Sequence, residues 1–145
     1  MSTTSSSVST NRNSSKAKVI INEAKKYTGT KYKYGGLSKS GIDCSGLVCQ
    51  SYAATNMKLP RTSTLQSNIG KRVYIGELQP ADLIFFSTKK GDKKMSHVGI
   101  ISYVSKKEIR FYHASSSRGV MESVLSTYWR DRYVKATRPL AKKRR

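Results

Sequence analysis

The chain has 145 residues, with 28 Lys and Arg against 8 acidic residues and a net charge of +20. That length gives one core, and 37% hydrophobic residues are enough to fill it. No apolar run nears the roughly 20 residues of a membrane span, and two cysteines exclude a disulfide-rich mini-fold or an all-cysteine zinc site.

The Ser- and Thr-rich stretch over 1–14 is too polar to pack and reads as a disordered lead-in. It shows no basic segment followed by an apolar one, the pattern of a secretory signal. Ser14 or Ser15 caps a helix that runs to about Tyr27, with Gly29 as its stop. Ile20, Ala24 and Tyr27 share one face of it. A loop follows at Tyr32-Lys-Tyr-Gly-Gly36. A second helix fits Cys44 to Ala54, with Asp43 as its N-cap and Leu47, Val48 and Tyr52 facing inward. A short third helix fits Ser63 to Ile69. From Arg72 the pattern has period two, with strands over 73–75, 82–86, 98–104, 109–114 and 133–136. Helices first and consecutive strands second argue for an α+β fold with an antiparallel sheet. The tail over 141–145 is basic and reads either as a solvated end or as an attractor of anionic polymer or headgroups.

One hairpin carries a sharper expectation. Pairing 98–104 with 109–114 about Ser105 sets His97 opposite His113, Gly99 opposite Phe111 and Ile101 opposite Ile109. These side chains share the apolar face, and the face with Ser102, Glu108 and Arg110 is expected to be wetter. The register makes the only two histidines neighbours.

Cys44 falls in the first turn of a helix, where the dipole favours a thiolate and free N–H groups can hold an oxyanion. His97 is a candidate proton shuttle, with His113 fixing its ring and tautomer, the nucleophile–base–orienter logic of many hydrolases. Cys49 reads as a small core residue. A Cys44–Cys49 disulfide is disfavoured, because five positions along a helix turn the side chains roughly 140° apart. Cys44 with the two histidines lacks a fourth zinc ligand, so neither a metal nor another cofactor is expected.

The segments Tyr32-Lys-Tyr-Gly-Gly36, Gly41-Ile-Asp-Cys-Ser-Gly46, Leu59-Pro-Arg-Thr62, Gln79-Pro-Ala-Asp-Leu-Ile-Phe-Phe86, Ser96-His-Val-Gly-Ile100 and His113-Ala-Ser115 resemble the NlpC/P60 cysteine peptidases, in particular their small lipoprotein branch. The resemblance runs from about Ile20 to Pro139 and implies a catalytic domain over 15–140 with a papain-like fold, helices packed on an antiparallel sheet. It implies cleavage of peptidoglycan stem peptides between γ-D-glutamate and the following diamino acid. Carried onto this chain, Cys44 is the nucleophile, His97 the general base and then acid, and His113 the orienting residue. Tyr32, Asp43 and Ser45 match substrate-contacting positions. Arg61 reads as a structural residue of the Leu59-Pro60 turn. The implied partners are stem peptides, which place the protein in the bacterial cell envelope or outside the cell; the charge of +20 separately suits an anionic wall or membrane surface, and a monomer is expected.

Two other readings stay beside this one. The same thiol chemistry could serve an acyltransferase or amidase, though the polar 38–40 and Lys-rich 89–94 segments suit lipid chains poorly. The charge could serve a non-catalytic module binding wall polymer or nucleic acid, but the basic residues are scattered without an aromatic-interleaved nucleic-acid motif.

Overall fold

A computed structural model describes the backbone over residues 3–141 and the side chains over residues 12–141. Helix α1 spans Thr3–Lys26, so its helical backbone starts well before a Ser14 or Ser15 cap. The first buried side chain described is Ala17, followed by Ile20, Ala24 and Tyr27 on the expected face. The core contacts therefore hold the C-terminal half of the helix, and much of the stretch expected as a lead-in joins that helix as backbone. Gly29 ends the turn after it at φ +86°, a conformation that favours glycine. The basic tail lies outside the described residues apart from Ala141.

A two-residue ribbon, β1 (Leu37–Ser38) and β2 (Gly41–Ile42), precedes α2 (Cys44–Ala53). Next come α3 (Ser63–Gln66), shorter than the Ser63 to Ile69 expected, and β3 (Lys71–Val73). Residues 75–77 form a 3-10 turn, so Ile75 leaves the strand expected over 73–75. The remaining elements are β4 (Leu83–Phe86), β5 (His97–Val104), β6 (Ile109–Ser115), β7 (Gly119–Val124), α4 (Thr127–Arg130) and β8 (Tyr133–Arg138). Strands β3 to β8 form one six-stranded sheet in the order β3-β8-β4-β5-β6-β7. Every pairing in it is antiparallel, as the element order predicts.

The sheet is buried on both faces. Leu83, Phe85, Val98, Ile100 and Ala114 pack with Ile20, Leu47, Val48 and Tyr52 of α1 and α2. Ile84, Phe86, Ile101 and Phe111 pack on the other face, with Trp129 of α4 against them. This corrects the expectation of a wet face on the β5–β6 hairpin. Its polar residues, Ser102, Glu108 and Arg110, lie towards the tip, and the base of the same face is helix-covered core.

The hairpin register also differs. Ile100 faces Tyr112 and Ile101 faces Phe111, two residues from the expected pairing, with a further shift between Ile101 and Tyr103. The cause is the turn. Ser105 N–H donates to the Glu108 carbonyl at 2.9 Å, so Lys106 and Lys107 form the corner that was expected at Ser105. A shift of two preserves sidedness, because side chains alternate with period two. The histidines therefore stay on one face, and they meet diagonally.

Candidate active site

The site is assembled from the start of α2, the base of the β5–β6 hairpin and α4. Asp43 caps α2 as the sequence predicts, its Oδ1 accepting from the Gly46 N–H at 2.8 Å. Its Oδ2 accepts from the Gly35 N–H at 2.7 Å, which ties the Tyr32–Gly36 loop to the turn that carries Cys44. A Cβ at Gly46 would overlap the Gly36 carbonyl oxygen, so the loop crosses the helix closely enough to require glycine there. Cys44 follows the cap and is 8% exposed. Its sulfur stands among the backbone N–H groups of Val98, Ser45 and Cys44 itself. Two of these belong to a helix first turn and have no carbonyl one turn back to bond.

His97 Nε2 lies 2.9 Å from His113 Nδ1, so the two histidines are hydrogen-bonded neighbours. His113 Nε2 in turn lies 2.7 Å from Ser123 Oγ on β7. With His97 Nε2 engaged, its Nδ1 is the ring nitrogen left for other chemistry. The tautomers that leave His97 Nδ1 able to accept a proton have His97 Nε2–H donating to His113 Nδ1, and His113 Nε2–H donating to Ser123. Trp129 stacks on His97 with centroids 5.6 Å apart and rings inclined by 19°, and it meets His113 edge-on at 5.1 Å. Gly99 makes room beneath, since a Cβ there would press into the Phe111 ring, which packs 4.8 Å from His113. Cys44, Tyr32, His97, His113 and Trp129 all line one open cleft of about 380 Å³.

The electrostatics differ from the sequence expectation of a thiol poised below its ordinary pKa. Burial pushes the Cys44 thiol up, and the Asp43 carboxylate adds to the rise. The N–H groups of Val98, Ser45 and Cys44 oppose it without winning. Burial likewise pushes His97 down to about 4, and burial with the neighbouring His97 pushes His113 down to about 3. A neutral thiol and neutral imidazoles therefore line the same cleft. Low-dielectric surroundings disfavour either charge alone.

Asp43 and Ser45 are not free groups on the cleft wall. Arg61, on the segment before α3, holds both: its Nη1 lies 3.0 Å from Asp43 Oδ1 and 2.8 Å from Ser45 Oγ, and its Nη2 lies 3.1 Å from Asp43 Oδ2. Burial alone would raise the Asp43 carboxyl, but the bonds from Arg61, Gly35 and Gly46 hold it below the usual carboxylate range. Arg61 thus serves the Cys44 turn, not only the Leu59-Pro60 turn to which the sequence assigned it. Cys49 lies close to the Leu59 and Pro60 carbonyls, at 3.6 and 3.2 Å. Sequence reasoning missed Ser123, Trp129 and Arg132. The clue to Ser123 is its place two residues after Met121, on the same face as the partner of His113 once β7 is recognised. Helix α4 has four residues, too short for periodicity to reveal it. Among the described residues no His, Cys, Asp and Glu cluster of metal-binding size occurs.

Fold and site together define a papain-like α+β domain that carries a helix-borne cysteine and a histidine pair on one cleft. The chain belongs to the NlpC/P60 family, whose profile matches residues 29–138. It is 39% identical over 121 residues to the probable endopeptidase NlpC of Escherichia coli K12, covering 82% of this chain and 75% of that one. It is 35% identical over 125 residues to the murein DD-endopeptidase MepS/murein LD-carboxypeptidase of the same strain, covering 85% of this chain and 63% of that one. Among solved structures, an NlpC/P60 family protein from Bacillus cereus ATCC 10987 superposes with a TM-score of 0.76 at 32% identity. That match spans 86% of this chain and 40% of the Bacillus cereus chain.

Proposed function

We propose that the chain is a thiol peptidase of the bacterial cell envelope that hydrolyses peptidoglycan stem peptides between γ-D-glutamate and the following diamino acid. The observation that supports it most is the chain of contacts on one cleft: the Cys44 sulfur beside the Val98 N–H, His97 next in sequence, and His97 bonded to His113 at 2.9 Å. The E. coli relatives are named as endopeptidases, one of them acting on murein, which favours the same substrate class.

In this reading Cys44 attacks the carbonyl carbon and its proton passes to His97 Nδ1. The oxyanion is held by the N–H groups of the α2 first turn and by the Tyr32 hydroxyl. His113 keeps Nδ1 aimed by occupying Nε2. His97 then protonates the leaving amine, and the C–N bond breaks to leave a thioester on Cys44. A water molecule, deprotonated by His97, hydrolyses that thioester and frees the thiol. Asp43 and Ser45, locked with Arg61, shape the acyl side of the cleft next to Tyr32. The net charge of +20 holds the protein on an anionic wall or membrane surface, with an affinity that falls as salt is added.

The test is digestion of L-Ala-γ-D-Glu-diamino acid tripeptides followed by chromatography. Release of the free diamino acid by the wild-type chain, and none by Cys44→Ala, is expected. Equal release by both would remove Cys44 from the reaction.

A further inference from the structure

The cleft wall carries a cation that the proposed chemistry does not use. Arg132, at the start of the turn into β8, lies with its guanidinium 3.7 Å from the Tyr128 ring centre. Its Nη1 donates to the Tyr128 carbonyl at 2.9 Å and its Nε to the Thr88 carbonyl at 3.3 Å. The group is therefore held in one place before any ligand arrives, and a planar guanidinium stacked this way loses little freedom on binding. It has no acidic partner among the described residues. The adjacent Asp131 instead faces Lys90 at 3.7 Å.

The surroundings have the same sign. No Asp or Glu lines the cleft, nor the neighbouring lobe of about 510 Å³ that shares His113, Tyr128 and Trp129 with it and reaches Arg118. Elsewhere in the chain buried or half-buried arginines are matched, Arg61 by Asp43 and Arg138 by Asp82. An unmatched, immobilised arginine on the cleft wall is a standing site for a carboxylate, which it can bind through charge-assisted hydrogen bonds.

Its side of the cleft follows from the proton transfer. The imidazole that protonates the departing amine must lie against the leaving fragment, and Trp129 and Arg132 share the wall with His97. The acyl fragment then lies towards Tyr32 and α2. We infer that Arg132 is a specificity determinant that receives a carboxylate of the leaving fragment, so that a diamino acid with a free carboxylate is preferred over its amide. The inference rests on the proposed hydrolase reading. Two carboxylates could fill the role, one on the diamino acid side chain and one at the peptide C-terminus.

The experiment measures kcat/KM of the wild-type protein on L-Ala-γ-D-Glu-meso-diaminopimelate with both carboxylates free, with the side-chain carboxylate amidated, and with the C-terminal carboxylate amidated. A loss of roughly tenfold or more is expected for one of the two amides, as for a hydrogen bond to a charged group, and the sensitive position names the source. Arg132→Gln is expected to bring the acid-to-amide ratio close to one, mainly through KM. Cleavage of all three peptides within twofold of one another overturns the inference while leaving the hydrolase reading intact. So does an Arg132→Gln protein that loses equally on acid and amide, the mark of a purely structural staple. If Arg132→Gln does not fold, the wild-type series decides. If no peptide is cleaved, the hydrolase reading has failed, and calorimetric binding of the same three peptides to the wild-type protein still separates a carboxylate site from none.

Discussion

Half-buried His97 and buried His113 make the fold acid-labile in a defined window. An unfolded chain protonates them near 6.5, whereas the folded chain keeps His97 neutral down to about 4 and His113 down to about 3. Between these values the unfolded state binds more protons, so stability is full above pH 6.5 and is lost as the pH falls towards the folded values. For His97 alone this amounts to roughly 3 kcal/mol between pH 6.5 and 4 at 1.36 kcal/mol per pH unit. The two rings share a hydrogen bond, so the second contribution does not simply add. These are the chain's only histidines. Asp43, held low by its bonds, contributes stability that is lost only below the ordinary carboxylate range. Urea unfolding followed by tryptophan fluorescence from pH 7.5 to 4.5 is the assay. The midpoint should fall steadily below pH 6.5, and His113→Gln, which removes one titrating ring, should show a visibly smaller fall relative to its own value at pH 7.5. A midpoint flat across that range, or an unchanged slope in the variant, would refute the assignment of buried, neutral imidazoles.

Three further outcomes are expected. Ser123→Ala removes the acceptor 2.7 Å from His113 Nε2, and it should lower kcat several-fold, about 1 kcal/mol, and shift the pH profile with KM unchanged; Ser123→Thr should restore it. Arg61→Ala leaves the Asp43 carboxylate buried without its cation and should cost about 2 kcal/mol in urea unfolding, a value discounted because the arginine side chain is 36% exposed. Alkylation of Cys44 by iodoacetamide should keep accelerating above pH 9, because burial outweighs the helix N-terminus; a plateau reached below pH 7 would show a preformed thiolate.

Much of this molecule was legible in the residues because its signals are local. The Asp43 cap, the inward face of Ile20, Ala24 and Tyr27, and the antiparallel order all follow from spacing and residue type, and each is found. The meeting of the two histidines was legible too, because strand alternation survives an error of two in register. The register itself was not legible, since Ser105 and Glu108 settle the turn through a hydrogen bond that composition does not announce. The thiol's environment was read from the helix dipole alone, and burial, a tertiary quantity, reversed the sign. Trp129 and Arg132 escaped for a related reason. The helix that carries Trp129 and ends just before Arg132 is one turn long, and the meaning of both residues comes from what lies beneath them, the His97 ring for one and the Tyr128 ring for the other.

The claim on which the mechanism stands is that the Cys44 sulfur forms a covalent bond to the acyl half of the substrate. Rapid acid quenching during turnover of L-Ala-γ-D-Glu-meso-diaminopimelate, followed by mass spectrometry of the Cys44 peptide, reads that bond directly. The account predicts an L-Ala-γ-D-Glu adduct on Cys44, none on Cys49, and neither adduct nor product with Cys44→Ala. Product formation at the wild-type rate by Cys44→Ala, with no adduct on Cys44 in the wild-type chain, would contradict it.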